Sequence, residues 1–336
     1  MGLLLISKPI ALQSISRWCL LFFFLFSSQA TWGYANQTNS EFGPLFAPSQ
    51  SPLQAASLTP MLQDAIWQAG DSEVQASATA ASIWGITNEL FLDYYHNELR
   101  FNYQHAPSKQ WRWSMDYRYR FSANNHIDTL TIKFHDAFDI GQNGRDTVPK
   151  HQATFRAPSE GLDQSGDSTL SFGHRLTLQL DHAIWSNPYH ALSASGALLY
   201  SYQPNGPFAH HNFEQSLQLN YRYAPSPKHR WYGMVGVTHR QQTEVLQIRA
   251  KAVNSHIALG YLYRWQHNHH LWAQAQVSEG IATHVFSLNK PVYETMLGYR
   301  YLYSPRQAIE MVILENWVYY DNSADVAFTL SYRQKF

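Results

Sequence analysis

The sequence predicts an all-β protein, a transmembrane antiparallel β-barrel of roughly 12–14 strands behind an N-terminal signal peptide. Three observations carry this reading. The chain is poor in charge and rich in aromatics, it alternates polar and apolar residues along successive segments, and it ends in an amphipathic strand closing on Phe336.

The composition bounds the answer first. There are 24 Lys+Arg against 24 Asp+Glu, so net charge makes no case for a nucleic-acid partner. Charged residues are 14% of the chain, against roughly 25% in soluble domains. Aromatics reach 15%, with 21 Tyr and 11 Trp. That balance fits an outer wall meeting lipid at two interfaces. A soluble periplasmic β-rich ligand-binding protein has a similar composition and stays open as an alternative.

The N-terminus has the layout of a secretory signal peptide. Lys8 and Arg17 precede the short apolar core Cys19 to Phe26, and small residues follow at Ser28-Gln29-Ala30 and Gly33-Tyr34-Ala35. Cleavage is expected near Ala35, because the polar run Asn36 to Ser40 follows at once. The core is shorter than the roughly 20 residues that a spanning helix needs. Cys19 is the single cysteine and lies in this segment, so disulfides and thiolate metal sites are not expected in the mature chain.

The chain then divides into an irregular periplasmic or lumenal lead-in over 36–60, rich in Pro, Ser, Gln and Asn, and a barrel over 61–336. In 111–121, Trp111, Trp113, Met115, Tyr117, Tyr119 and Phe121 alternate with Arg112, Ser114, Asp116, Arg118 and Arg120. Successive strand residues point to opposite faces, so this is a lipid wall opposite a polar lumen. The same period recurs around Arg100, around Arg175 to Asp181, around Arg222 and around Arg300. Counted back from the C-terminus, connections run long and short in turn: 138–168, 241–251 and 279–290 are long, while Pro225-Ser226-Pro227 and Ser304-Pro305-Arg306 are tight. Outer loops and periplasmic turns differ in this way. Residues 126–139 fit a strand marginally better than a short lumenal helix.

In the last segment Phe328, Leu330, Tyr332 and Phe336 share one face, with Arg333 and Lys335 on the other. This is similar to the C-terminal strand by which outer-membrane proteins are recognised. It points to the barrel-assembly machinery and outer-membrane lipid as partners. A family resemblance rests on other residues: Phe42-Gly43-Pro44-Leu45, Gln50-Ser51-Pro52-Leu53-Gln54, Leu92-Asp93-Tyr94, Ile127-Asp128, Phe134-His135-Asp136-Ala137-Phe138 and Gly144-Arg145. Over about 42–146 the chain resembles the proteobacterial family known as domain of unknown function 3187. The resemblance implies an exported protein in the outer membrane and brings no activity, substrate or catalytic residue. Asp139 departs from the glycine expected after the Phe.

Chemistry is sparse. The Asn-His-x-Ser-Asn-Gly run of outer-membrane phospholipases is missing, and Thr238 beside His239 falls on opposite strand faces. A lipid-acting enzyme built around His135 and Asp136 remains the enzymatic alternative. The 17 histidines include His210-His211 and His267 to His270, which fall in expected connections and suit turns and interfaces without a metal. No cofactor is expected. The functional candidates are the charges assigned to the lumen: Asp93, Arg100, Arg112, Asp116, Arg118, Arg120, Arg175, Asp181, Arg222, Glu294 and Arg300. They form either a selectivity lining or a cross-strand network that fills a narrow barrel. Their arginine excess points to anionic partners, a small anionic solute or lipid phosphate. The expected protein is a non-enzymatic outer-membrane barrel, a small solute channel or a structural barrel.

Overall fold

The computed structural model describes residues 42–124, 127, 129, 133, 153–165, 169–316 and 318–336. The signal segment, its cut near Ala35 and the pair His135–Asp136 lie outside the described residues. Of 126–139 only Ile127, Thr129 and Lys133 are described, and all three are helical where a strand was expected.

The sheet is built from β1 (Ser72–Ile86), β2 (Phe91–His105), β3 (Trp111–Ser122), β6 (Leu170–Ser186), β7 (His190–Gln203), β8 (His210–Ser226), β9 (His229–Arg240), β12 (Val253–Arg264), β13 (His269–Ser278), β14 (Val292–Ser304), β15 (Gln307–Asn316) and β16 (Ala324–Lys335). Each pairs antiparallel with its neighbours, and β1 pairs with both β16 and β2, so the twelve strands close on themselves. Closure satisfies every ladder and leaves no edge, as a β-structure in lipid requires. A short hairpin, β4 (Thr154–Ala157) and β5 (Leu162–Ser165), extends β2 at one end, and β10 (Glu244–Val245) pairs with β11 (Ile248–Arg249). Among the described residues there are also two single-turn helices, α1 (Pro52–Ala56) and α2 (Phe286–Asn289), and 3-10 turns at Pro158–Glu160 and Tyr320–Asn322.

The connections sort by end. Turns 106–110, 187–189, 227–228, 265–268 and 305–306 lie at one end with Ser72 and Phe336. Connections 204–209, 241–252, 279–291 and 318–323 and the described residues 153–165, with the short 87–90, lie at the other. They are called the short-turn end and the loop end below. The wall begins at Ser72, not near 61, because 61–71 runs inside the barrel rather than in it.

Alternation decides which side chains meet the outside. Leu217, Leu297 and Leu330 are 66%, 68% and 58% exposed on the outer face. Their strand neighbours Gln218, Arg300 and Arg333 are buried. A water-facing sandwich would hide those leucines; a lipid-facing wall displays them. At the short-turn end a repeated aromatic device fringes this apolar belt. His190, His229 and His269 each open a strand and pair in register with Tyr223, Tyr263 and Tyr301. The Nδ1 atoms of His190 and His229 lie 2.6 Å from the hydroxyls of Tyr221 and Tyr261, and His269 meets Tyr299 in the same way. Tyr117, Tyr119 and His174 repeat the arrangement toward the loop end. Amphipathic rings of this kind settle at the membrane–water boundary. His210, His211, His269 and His270 therefore belong to strands, not to the connections expected for them.

Leu217 lies mid-strand on the lipid face. Leu217→Arg should cost roughly 2–4 kcal/mol, read from denaturant unfolding in phospholipid vesicles. A change below about 0.5 kcal/mol would contradict the lipid-facing assignment.

Candidate functional site: a lumen filled by the chain's own N-terminal segment

The inward face carries Arg–carboxylate pairs between neighbouring strands. Asp116 accepts from Arg118 Nε at 2.6 Å and from Arg100 Nε, and Glu98 stands 3.6 Å from Arg118 Nη1. Arg112 Nε donates to Asp181 at 2.8 Å, and Arg300 pairs with Glu310 at 2.6 Å. Arg333 joins Glu73 at 2.5 Å and Glu310 at 3.2 Å. Each pair offsets the desolvation of both partners in a buried setting.

Of the sequence-predicted lumenal charges, Arg100, Arg112, Asp116, Arg118, Arg120, Arg175, Asp181, Arg222, Glu294 and Arg300 are buried and share strand faces with the lumen. Asp93 does not. It alternates with Leu92 and Tyr94, which join the interior apolar cluster, and so falls on the side of Leu99 and Phe101. Phe328, Leu330, Tyr332 and Phe336 lie on the outer face of the last strand, while Val326, earlier on that strand, is fully buried. Glu73, Glu98, Glu214, Arg240, Glu310 and Arg333 also line the lumen. Of these only Arg333 stood out from its alternation; the others needed the register of the closed sheet.

What these charges hold is residues 42–71. The segment enters at the short-turn end, where the Phe42 ring lies 5.1 Å from Lys335 Nζ. It climbs to the loop end, where Ser51 Oγ donates to Asn322 at 3.3 Å and Gln54 Nε2 to the Glu279 carbonyl at 2.7 Å. It turns through α1 and descends, until Trp67 Nε1 donates to the Ser108 carbonyl in a short turn at 3.1 Å. The chain thus passes twice through the barrel without joining the sheet.

An irregular backbone in a buried lumen must find its hydrogen bonds elsewhere. Arg300 donates to the carbonyls of Phe42 (3.1 Å) and Gly43 (2.7 Å), and Arg333 to that of Pro44 (2.8 Å). Arg175 donates to those of Ala55 and Ser57, the latter at 2.7 Å, and Thr238 Oγ1 to that of Leu58 at 2.7 Å. Two glutamates take the amides. Glu294 Oε1 accepts from Gln50 N (2.8 Å), Ser51 N (3.2 Å) and Ser323 Oγ (2.5 Å). Glu214 Oε2 accepts from Leu58 N (2.8 Å) and Ser57 Oγ (2.5 Å). Guanidinium planes cover the aromatic rings, with Arg100 3.9 Å above Phe46 and Arg112 4.6 Å above Trp67. Two wall glycines leave room for apolar plug residues. A Cβ on Gly236 would stand 2.9 Å from Pro60, and one on Gly298 2.8 Å from Leu45.

Above the plug the loops fold inward over an apolar cluster including Phe155, Leu162, Phe172, Phe208, Leu246, Ile248 and Val285. Leu246 and Gln247 form the hairpin tip with φ of 50° and 62°, a backbone region unfavourable for both, and Leu246 is buried there. Glu160, beside β5, meets Arg249 on β11 through two side-chain bonds of 3.0 and 3.2 Å. Burial pushes the Glu160 carboxyl up, and the Arg249 bonds outweigh it, holding it below its ordinary value. This latch therefore contributes above the ordinary carboxylate pKa and is lost as pH falls through the lowered one.

Thr238 and His239 do not come together as a catalytic pair. Thr238 is bound to the plug, while His239 faces outward toward Gln215, 3.1 Å away. Among the described residues no cluster of three or more His, Cys, Asp or Glu is placed to hold a metal ion.

A match to the family described as a protein of unknown function, DUF3187, spans residues 27–336. The chain belongs to the DUF3187 family. No curated protein sequence matches this DUF3187 chain. Its barrel is similar to that of the COG4313 outer membrane channel from Pseudomonas putida F1, with a TM-score of 0.54 and 11% identity, over 83% of this chain and 100% of that one. The NanC porin aligns with a TM-score of 0.47 and 9% identity over 79% of this chain and 100% of its own. The KdgM porin aligns at 0.44 and 5%, over 79% and 99%. At such identities the first likeness is one of fold: the DUF3187 chain has the architecture of an outer-membrane β-barrel.

Glu294 holds the two amides at the plug's turning point. In Glu294→Ala, hydrogen exchange at Gln50 and Ser51 should accelerate at least tenfold, that is by about 1.4 kcal/mol or more in opening free energy. Wall amides of β8 should keep their protection. Unchanged exchange at Gln50 and Ser51 would show that the plug does not depend on this carboxylate.

Proposed function

We propose that this DUF3187 protein is a non-enzymatic outer-membrane channel for small solutes, closed by its own N-terminal segment. The observation that carries the reading is the double passage of 42–71 through a wall already complete without it. A structural barrel filled by its own wall side chains has no bore to spare. A lumen that admits two passes of polypeptide is a pore once they leave. The plug is held by side-chain hydrogen bonds and ring contacts, not by strand pairing, and such contacts exchange more readily than a ladder.

The arginines favour an anionic solute. Arg175 bonds plug carbonyls, which carry no charge to cancel its own, while Arg300 and Arg333 bond plug carbonyls beside the carboxylates of Glu310 and Glu73. With the plug withdrawn, these donors would face the passage and attract anions. The exposed apolar belt supports residence in the outer membrane after cleavage near Ala35. The outward row of Phe328, Leu330, Tyr332 and Phe336 is the surface we assign to the assembly machinery.

The test is planar-bilayer recording of the refolded mature chain beside a variant lacking 42–67. Wild type should show small or rare steps, and the deletion variant large, anion-selective ones. A folded deletion variant without conductance across a range of salts would overturn the channel reading and leave a structural barrel.

A further inference from the structure

On the outer face of the short-turn end, three strand pairs repeat one arrangement. Tyr221 and Tyr223 on β8, Tyr261 and Tyr263 on β12, and Tyr299 and Tyr301 on β14 point outward near the ends of their strands. Two residues deeper in the apolar belt, each pair is preceded by an exposed leucine, Leu219, Leu259 or Leu297. Opposite each pair lies the histidine that opens the neighbouring strand, His190, His229 or His269. Its ring centre stands 4.8, 5.2 or 5.2 Å from that of Tyr223, Tyr263 or Tyr301, and its Nδ1 meets the hydroxyl of the other tyrosine.

That hydroxyl decides where the ring proton sits. The phenol is the more acidic donor and the imidazole nitrogen the more basic acceptor, so the hydroxyl donates to Nδ1. The neutral ring then carries its proton on Nε2. None of the three Nε2 atoms is sealed from the surface or bonded to another described residue. Three free N–H donors therefore stand at the edge of the lipid-facing belt.

Charge marks the same end. Turns 106–110, 187–189, 227–228, 265–268 and 305–306 contain no Asp or Glu. Lys109, Lys228 and Arg306 are exposed in three of them and form no ion pair among the described residues. Lys228 lies between Tyr223 and His229 in the chain, and Arg306 lies in the turn that follows Tyr301. Asp64, Asp71 and Glu73 line the mouth of the lumen rather than this rim, and the Phe336 carboxylate is set against three cations. At the loop end, by contrast, Arg156, Arg249 and Lys251 are each paired with a carboxylate, Asp163, Glu160 and Glu279.

From the belt outward, each unit presents a leucine and then an imidazole donor, and the cations of the turns lie beyond. That order matches the acyl chain, the phosphodiester and the net negative charge of one lipid. A free phosphate would use the donors and cations but not the leucines. We propose that the short-turn rim binds anionic glycerophospholipids, with a phosphodiester at each His–Tyr unit and an acyl chain along its leucine. Such binding needs neither an open lumen nor conduction, so it stands or falls apart from the channel reading.

The experiment is native mass spectrometry of the full mature chain released from micelles doped with phosphatidylglycerol, with phosphatidylcholine of the same chains, or with glycerol 3-phosphate. Phosphatidylglycerol should be held about fivefold more tightly than phosphatidylcholine, the worth of one basic residue at an anionic surface. Glycerol 3-phosphate should not be retained. His190→Phe, His229→Phe and His269→Phe together keep the ring stacks and delete the donors; they should weaken both lipids about fivefold. Lys109→Gln, Lys228→Gln and Arg306→Gln together should bring the two lipids level without weakening phosphatidylcholine. Both triple variants should keep the heat-shifted gel band of the folded barrel. Equal retention of the two lipids by wild type, glycerol 3-phosphate held as tightly as the lipid, or unchanged retention in both variants would each overturn the site.

Discussion

The structure depends on wall side chains bonding the backbone of a segment that has one helical turn and no strand to satisfy it. Residues 42–71 lie at membrane depth, where unpaired peptide groups are expensive. Arginines on β6, β14 and β16 take their carbonyls, and glutamates on β8 and β14 take their amides. If those side chains were apolar, the plug could not stay dry inside the barrel. If the plug were absent, the same side chains would need water. Wall and plug are therefore solutions to each other's desolvation.

That dependence explains why so many charges sit in so narrow a lumen. A buried arginine stays charged only with partners for its donors, and carboxylates on adjacent strands supply some of them. Asp116 sits between Arg100 and Arg118 and leaves Arg100 Nη1 to reach Gln75. Carbonyls accept the rest without adding negative charge. The inward face can hence carry more arginine than acid and still be well bonded. An excess read from sequence as selectivity is, in the closed state, largely a set of backbone ligands.

The barrel was readable because its physics is local. Period two, polar within and apolar without, with turns marked by Pro, Gly and Asn, specifies a strand from its own residues. Where the environment departs from that rule, the reading fails. A charge at Asp93 suggests the lumen, but the loop end of the lumen is apolar. There Leu92 and Tyr94 point inward beneath Phe155 and Phe172, which puts Asp93 on the other face. The segment 36–60 could be read as irregular, and lumenal was one of two options, because nothing periodic marks a plug. Its partners lie far along the chain, Glu294 being 244 residues from Gln50. Wall glycines gave a faint signal: Gly236 and Gly298 fall on inward positions where a strand would ordinarily place a side chain.

Two of the short motifs that carry the family resemblance have a physical meaning in the lumen. Phe42-Gly43-Pro44 offers three carbonyls to Arg300 and Arg333 in succession. Gln50-Ser51 offers two amides to Glu294 where the chain reverses, and Pro52, which has no amide hydrogen to satisfy, begins the helical turn. These residues do not form a strand, a catalytic group or a metal site. They are the parts of the plug that the wall grips, one at its entry and one at its turning point. Between the grips, Leu45 and Phe46 fit a glycine and a guanidinium. A third grip follows the turn, where Arg175, Glu214 and Thr238 hold Ala55 to Leu58, and a segment held at separate polar points can release in stages. Loss of the Phe42–Pro44 grip would free the entry of the plug while Glu294 still held its tip, so loosening at the short-turn end and full opening of the lumen are separable events.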